Sequence, residues 1–422
     1  MSNNVNLKLS PKVLIAAMMG NCIEQFDFAI YIYLAPILAP LFFPTEDKMT
    51  SLILSLSVYA IGFIARPLGA IYFGRIGDGE GRKKALSLSI FGMALSTAAM
   101  GLVPTYAQIG MLAPAFIVVL RLCQSFCVAG EYNGAAVYVL EQTPAHRQNL
   151  ISGIYTSSGS IGSLGASLIL IMVLRYQTNW ESVWRFAFIL PAIFGFIGYY
   201  IRKSLPESLT TNYINKETFS LKNTLKNYPH ELFLAFGIAS LSGCLYYFML
   251  SFPSAFIPLV SSYTLKDISG IISFVSFAEM INLWWLGHLA DRIGSQKTMI
   301  FTAFTILLLG AFLYMGLISN NFTYITISLI LFTLFVAAFL APSHVVMMKL
   351  FPMNKRYTAV SLAFNLGNGL LGATSSIIAI TLYKLTENPI MPVFHLFFCA
   401  TLFLFAFTLY FMKSNKFTND LI

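Results

Sequence analysis

Charge is what this sequence has least of. Only 10% of its 422 residues are Asp, Glu, Lys or Arg, against about 25% in soluble domains. Long polar stretches are also scarce, the longest being about 203–230. Hydrophobic residues make up 57%. A soluble core of this length needs far less apolar surface, whereas lipid demands it. Signatures of catalysis are missing as well. The Walker phosphate loop, the HExxH zinc pair and the Gly-x-Ser-x-Gly elbow are absent, which argues against an enzyme. The five cysteines, Cys22, Cys123, Cys127, Cys244 and Cys399, lie in apolar runs without metal-like spacing to His. They read as buried packing residues, and no metal or other cofactor is expected. Basic residues exceed acidic ones by 9, but they sit in short loops, so nucleic acid is not an expected partner. The first apolar run carries Glu24 and Asp27 and is too long for a cleavable signal.

What is present is a series of long apolar runs. Backbone in lipid must satisfy its own hydrogen bonds, so these runs predict helices. There are twelve, at about 13–41, 52–74, 85–103, 110–140, 150–174, 184–202, 231–260, 268–287, 298–317, 322–349, 358–383 and 393–412. The expected fold class is all-α integral membrane. Kinks are expected at Pro36, Pro40, Pro114, Pro253, Pro258 and Pro342. With the N-terminus cytoplasmic, 19 of the 26 Lys and Arg fall on the cytoplasmic side and 5 on the other. This asymmetry predicts that both termini are cytoplasmic. The polar stretch divides the chain into a six-helix bundle over 1–202, a linker over 203–230 and a second six-helix bundle over 231–422. Trp180 and Trp184 suit an interfacial belt.

The halves echo each other. Gly74-Arg75-Ile76-Gly77-Asp78, then Gly81-Arg82-Lys83, follows the second run. Gly287-His288-Leu289-Ala290-Asp291, then Arg292 and Gly294, follows the eighth. A glycine permits a tight turn, and an acid there can cap a neighbouring helix or pair with a base. Gly74, Asp78, Gly81, Arg82, Lys83, Gly287, Asp291, Arg292 and Gly294 are therefore candidates for a cytoplasmic gate. Ser163-Leu164-Gly165-Ala166-Ser167 and Leu371-Gly372-Ala373-Thr374-Ser375 form a second echo. Parallel repeats of this kind place a substrate cavity between the halves, near the bilayer midplane.

At these residues the sequence resembles the major facilitator superfamily, and within it the metabolite:proton symporters. The resemblance is carried by Gly20-Asn21-Cys22-Ile23-Glu24-Gln25-Phe26-Asp27-Phe28, by Arg66-Pro67-Leu68-Gly69, by Arg121-Leu122-Cys123-Gln124 with Gly130-Glu131-Tyr132-Asn133-Gly134-Ala135, and by Trp184-Arg185-Phe186. It implies the major facilitator fold and proton symport by alternating access in a bacterial cytoplasmic (inner) membrane. Gln25 is similar to the citrate carriers and the Gly130–Ala135 run to the proline/betaine carriers. The expected substrate is therefore a small carboxylate-bearing metabolite or zwitterionic osmolyte, with a di- or tricarboxylate as the alternative.

Ionisable side chains inside a span each cost about 2.5–3.5 kcal/mol, so they need partners or a wet cavity. Glu24 and Asp27 are one helical turn apart, and Tyr31 follows Asp27 by four residues. Proton coupling needs an acid loaded on one side and released on the other, which makes Asp27, Glu24 and Glu131 the candidates. Arg121 and Glu131 are about 15 Å apart on a straight helix and must meet other helices. Glu24 with Arg121, and Arg66 with Asp27 or Glu131, are the expected pairs. Glu279 precedes Asp291 by the same twelve residues that separate Arg66 from Asp78. Arg121, Arg66, Tyr31, Phe26, Tyr132, Asn133 and Glu279 are the candidate substrate contacts, with His344 a possible polar lining residue. The expected partners are a small molecule, the proton and the bilayer, with the chain acting as a monomer. A membrane sensor that has lost transport and an integral-membrane enzyme are the rival readings.

Overall fold

A computed structural model describes residues 9–175, 180–203 and 221–419. Among these residues there is helix and turn but no strand. Twelve helices are long and apolar enough to cross a membrane. Spans one to six are Pro11–Ala35, Ser57–Gly79, Arg82–Leu102, Leu112–Glu141, Ala145–Met172 and Trp184–Lys203. Spans seven to twelve are Pro229–Pro258, Asp267–Ile293, Ser295–Leu317, Phe322–Lys349, Arg356–Thr386 and Val393–Lys413. The protein is an all-α membrane protein of two six-helix bundles, as its apolar runs predict. Most of the expected linker, 204–220, lies outside the described residues. Its end is a short helix, Leu221–Asn227.

The spans break where backbone bonding fails, and only one break matches a proline. Span seven interrupts at Leu250, between Pro229–Met249 and Ser251–Val260. Pro253 has no N–H to give the Met249 carbonyl, so the ladder ends there. Span four interrupts at Ala129–Glu131, whereas Pro114 sits in its first turn, where a missing donor costs nothing. Span eleven widens into a π-turn over Asn368–Gly372. Pro342 lies in an unbroken helix.

The bundles meet along two seams that exchange repeat-equivalent elements: span two lies on span eleven, and span eight on span five. Glycines set the approach. A Cβ on Gly287 would lie 2.7 Å from the Asn149 carbonyl oxygen, and one on Gly74 2.6 Å from Thr358 Oγ1. These two glycines are thus packing residues inside helices, not turn residues. Helix continues to Gly79 and to Ile293, and the turns themselves use Gly81 (φ 118°) and Gly294 (φ 107°). Trp184 departs from the belt reading: it is buried, edge-on to Phe42 and Phe188. The Trp180 side chain lies outside the described residues.

Candidate functional site

Both repeated motifs cap a helix of the opposite bundle. Asp78 accepts from the Tyr357 amide (3.2 Å), the Thr358 amide (2.9 Å) and Thr358 Oγ1 (2.5 Å) at the start of span eleven. Asp291 accepts from the Asn149 amide and side chain (both 2.9 Å) and the Leu150 amide (3.0 Å) at the start of span five. Negative charge at a helix N-terminus satisfies orphan donors and the helix dipole together. The first cap is reinforced. Arg82 is fully buried, pairs with Asp78 and Glu141, donates to the Met353 carbonyl (2.8 Å) and lies over the Tyr357 ring. Arg356 reaches the same Glu141 at 3.2 Å. At the second cap Ser295, the counterpart of Arg82, donates to Asn149 Oδ1 at 2.8 Å. Lys83 is half-buried and Arg292 exposed. Glu141 and Arg356 escaped the sequence reading because nothing in their spacing marks them.

The buried charges pair differently from the sequence expectation. Glu131 does not meet Arg66 and does not line the cavity. It takes Arg202 as its partner (2.7 Å to Oε2) and accepts from Ser89 (3.0 Å). Arg202 also donates to the Ala16 and Leu86 carbonyls (both 3.0 Å). By position along the chain Arg202 belongs to a loop edge, yet it folds back into the bundle. Arg121 goes to Asp27, not to Glu24. Gln124 bridges them, accepting from Arg121 and donating to Asp27 Oδ2 (3.1 Å). Thr97 Oγ1 donates to the same oxygen (2.8 Å). Three rings, Phe28, Tyr31 and Tyr59, surround the Arg121 guanidinium at 4.9–5.1 Å. Arg66 is the opposite charge that acts on Glu24, its guanidinium 4.5 Å from the Phe28 centroid and 4.2 Å from that of Phe63.

Between the bundles lies a cavity that admits the centres of water molecules over about 60 Å³. Glu24, Arg66, Tyr132, Asn133 and Glu279 of the candidate residues line it, together with Asn21, Gln25, Phe28, Tyr246, Tyr247, Asn365 and Asn368. Ser160 donates to Glu279 across the halves at 2.9 Å. On the far side from the caps, Tyr246 donates to Gln25 (3.0 Å), and the Tyr59 and Tyr247 hydroxyls lie 3.2 Å apart. The chamber is therefore bridged at both ends. Several of its polar atoms have no hydrogen-bond partner: Glu24 Oε2, Arg66 Nε and Nη2, and Asn133 Oδ1. Buried polar atoms are seldom left so, and here all of them belong to residues that line one space.

Besides Asp27, Arg121 and Glu131, three candidates stand outside the chamber. Phe26 turns away from the chamber into an apolar crease with Cys22, Ile161 and Phe194. Tyr31 sits behind Arg121 and donates to the Ser55 carbonyl at 3.1 Å. His344 is buried against the Tyr132 and Phe364 rings. The cysteines also depart from a uniform packing role. Cys123 is exposed, and Cys244 and Cys399 converge with His395; His395 precedes Cys399 by four residues, a helical spacing that the expectation of no cysteine spaced to a histidine missed.

The Major Facilitator Superfamily sequence profile matches residues 17–376. A Staphylococcus aureus (strain COL) protein bearing a provisional proline/betaine transporter name is 30% identical, covering 93% of this chain and 86% of its own. The proline/betaine transporter of Escherichia coli (strain K12) is 28% identical, covering 92% and 81%. Among solved structures, the major facilitator proton:xylose symporter XylE, bound to 6-bromo-6-deoxy-D-glucose, superposes with a TM-score of 0.72. It shows 15% identity and covers 95% of both chains, a likeness of fold. With its twelve spans, two bundles and central chamber, the chain belongs to the Major Facilitator Superfamily of membrane transporters.

Proposed function

We propose that this transporter carries a small zwitterion with one carboxylate, of the proline/betaine kind, together with a proton. The chamber carries the reading. It offers one guanidinium, Arg66, with two unpartnered nitrogens. It offers two carboxylates, Glu24 from the first half and Glu279 from the second. A carboxylate on Arg66 and a cationic nitrogen toward the acids and the Phe28, Tyr246 and Tyr247 rings satisfies both signs. Arg121 is withdrawn behind Asp27 and Gln124, so a single cation faces the ligand. This favours one carboxylate over the two or three of a citrate-like substrate. The names of the relatives point the same way.

The proton is assigned to Glu24 and Asp27. Each is buried and has one oxygen without a hydrogen-bond partner, Glu24 Oε2 and Asp27 Oδ1, and a proton placed there has no competing donor. Glu131 is set aside as a coupling acid because Arg202 and Ser89 already occupy it. Alternating access opens the two caps, with the cap-bearing basic face cytoplasmic and the membrane the bacterial cytoplasmic one. Both termini then lie in the cytoplasm. Purified protein in liposomes tests the reading. With an inwardly directed proton gradient, labelled proline or glycine betaine accumulates above equilibrium, and citrate does not compete. Accumulation that ignores the gradient, or competition by citrate and not by betaine, overturns it.

A further inference from the structure

Away from the chamber, Cys244 of span seven and His395 and Cys399 of span twelve bring their ligand atoms within 4.8 Å of one another. All three side chains are buried. His395 and Cys399 are one turn apart on the same helix face, with Nε2 and Sγ 3.9 Å apart. Span eleven supplies oxygen on the same spot: Ser375 Oγ and the Leu371 carbonyl each lie 3.0 Å from His395 Nε2. Two sulfurs and one imidazole nitrogen are three donors of the kind a tetrahedral d¹⁰ divalent ion takes, which leaves the fourth position to an oxygen.

We propose that Cys244, His395 and Cys399, with Ser375 as the oxygen donor, bind a thiophilic divalent cation such as Zn²⁺ or Cd²⁺ inside the second bundle. A point within about 2.8 Å of all three atoms exists for separations of this size, so the sulfurs need only about 0.5 Å and the nitrogen about 0.75 Å of movement to reach bonding distance. Binding replaces two thiol protons: the ion takes two thiolates and a neutral imidazole, and two protons leave. The product carries no net charge, which a low-dielectric interior tolerates. His395 must present the Nε2 lone pair and hold its proton on Nδ1. That tautomer gives up the contact of Nε2 with the Leu371 carbonyl; the carbonyl keeps the Ser375 hydroxyl, which donates to it at 2.7 Å while an Oγ lone pair stays free for the ion.

The site adjoins the chamber wall. Cys244 follows Gly243, a chamber-lining residue that packs against Asn368 and Gly372. Leu371 belongs to the π-turn of span eleven, and Ser375 opens the helix after it. An ion there ties spans seven, eleven and twelve together and arrests transport. That consequence rests on the transporter reading, whereas the binding does not.

The test uses full-length protein with Cys22→Ser, Cys123→Ser and Cys127→Ser, purified in detergent with a phosphine reductant. Titration with Cd²⁺ is followed by the ultraviolet cadmium–thiolate band and by proton release. One Cd²⁺ and two protons per chain are expected. Further replacement by Cys244→Ser or Cys399→Ser abolishes the band, and His395→Gln weakens affinity at least tenfold. Size-exclusion profiles matching the parent confirm that each variant is folded. An absent band, or one indifferent to Cys244, overturns the site. In liposomes, Cd²⁺ slows uptake in the parent and not in Cys244→Ser. If Cd²⁺ binds and uptake is unchanged, the arrest is overturned while the site stands.

Discussion

The two caps look alike in sequence and differ in strength, and that difference can be measured. Asp78→Asn keeps the shape and removes the charge. It weakens three bonds to the start of span eleven and strips one partner from the fully buried Arg82. Breaking a buried ion pair from one side costs about 3–5 kcal/mol; Glu141 retains Arg82, so the lower end applies. Asp291→Asn disturbs a half-buried cap that no arginine among the described residues pairs with, worth about 1–2 kcal/mol. The gap of about 1–2 kcal/mol predicts that Asp78→Asn opens the basic face about 5- to 30-fold more readily than Asp291→Asn, at 1.4 kcal/mol per tenfold. Spin labels on the exposed positions 84 and 349, one in each half, report the opening by double electron–electron resonance in a background without native cysteines. Longer distances should gain population strongly in Asp78→Asn and weakly in Asp291→Asn. Equal shifts, or a larger one in Asp291→Asn, refute the claim that Arg82 reinforces the first cap.

Other substitutions separate the chamber from its scaffold. Arg66→Lys keeps the charge and loses the flat stack between Phe28 and Phe63; substrate affinity in equilibrium binding should fall at least tenfold, and an unchanged affinity removes Arg66 from the site. Asp27→Asn should abolish gradient-driven accumulation and leave counterflow measurable, whereas accumulation at the parental level excludes Asp27 as the coupling acid. Glu131→Gln strands Arg202 in the bundle and should cost about 3–5 kcal/mol. It should appear as a lower melting temperature in a fluorescence assay, and Arg202→Met in addition should restore part of the loss. Phe26→Ala should leave substrate affinity unaltered, because its ring faces the apolar crease; a tenfold loss places the ring in the chamber after all.

Much of this molecule is legible in the order of its residues. Apolar run length fixes the spans, since every lipid-embedded backbone group must bond within its own helix. Repetition marks the halves and their caps, and the cost of intramembrane charge picks out Glu24, Arg66 and Glu279 as residues with something to face. Helix rotation and crossing decide the rest. Arg202 lies 71 residues from Glu131 along the chain, yet they share one ion pair. Phe26 and Gln25 are neighbours in sequence, but one faces the crease and the other the chamber. His395 and Cys399 are one turn apart on span twelve, but Cys244 meets them only because span seven packs on span twelve. Local spacing determines which side chains leave water, because that depends on a segment's own polarity. Which of them meet is set by how rigid helices dock, because a partner on another helix leaves no mark on the periodicity of either.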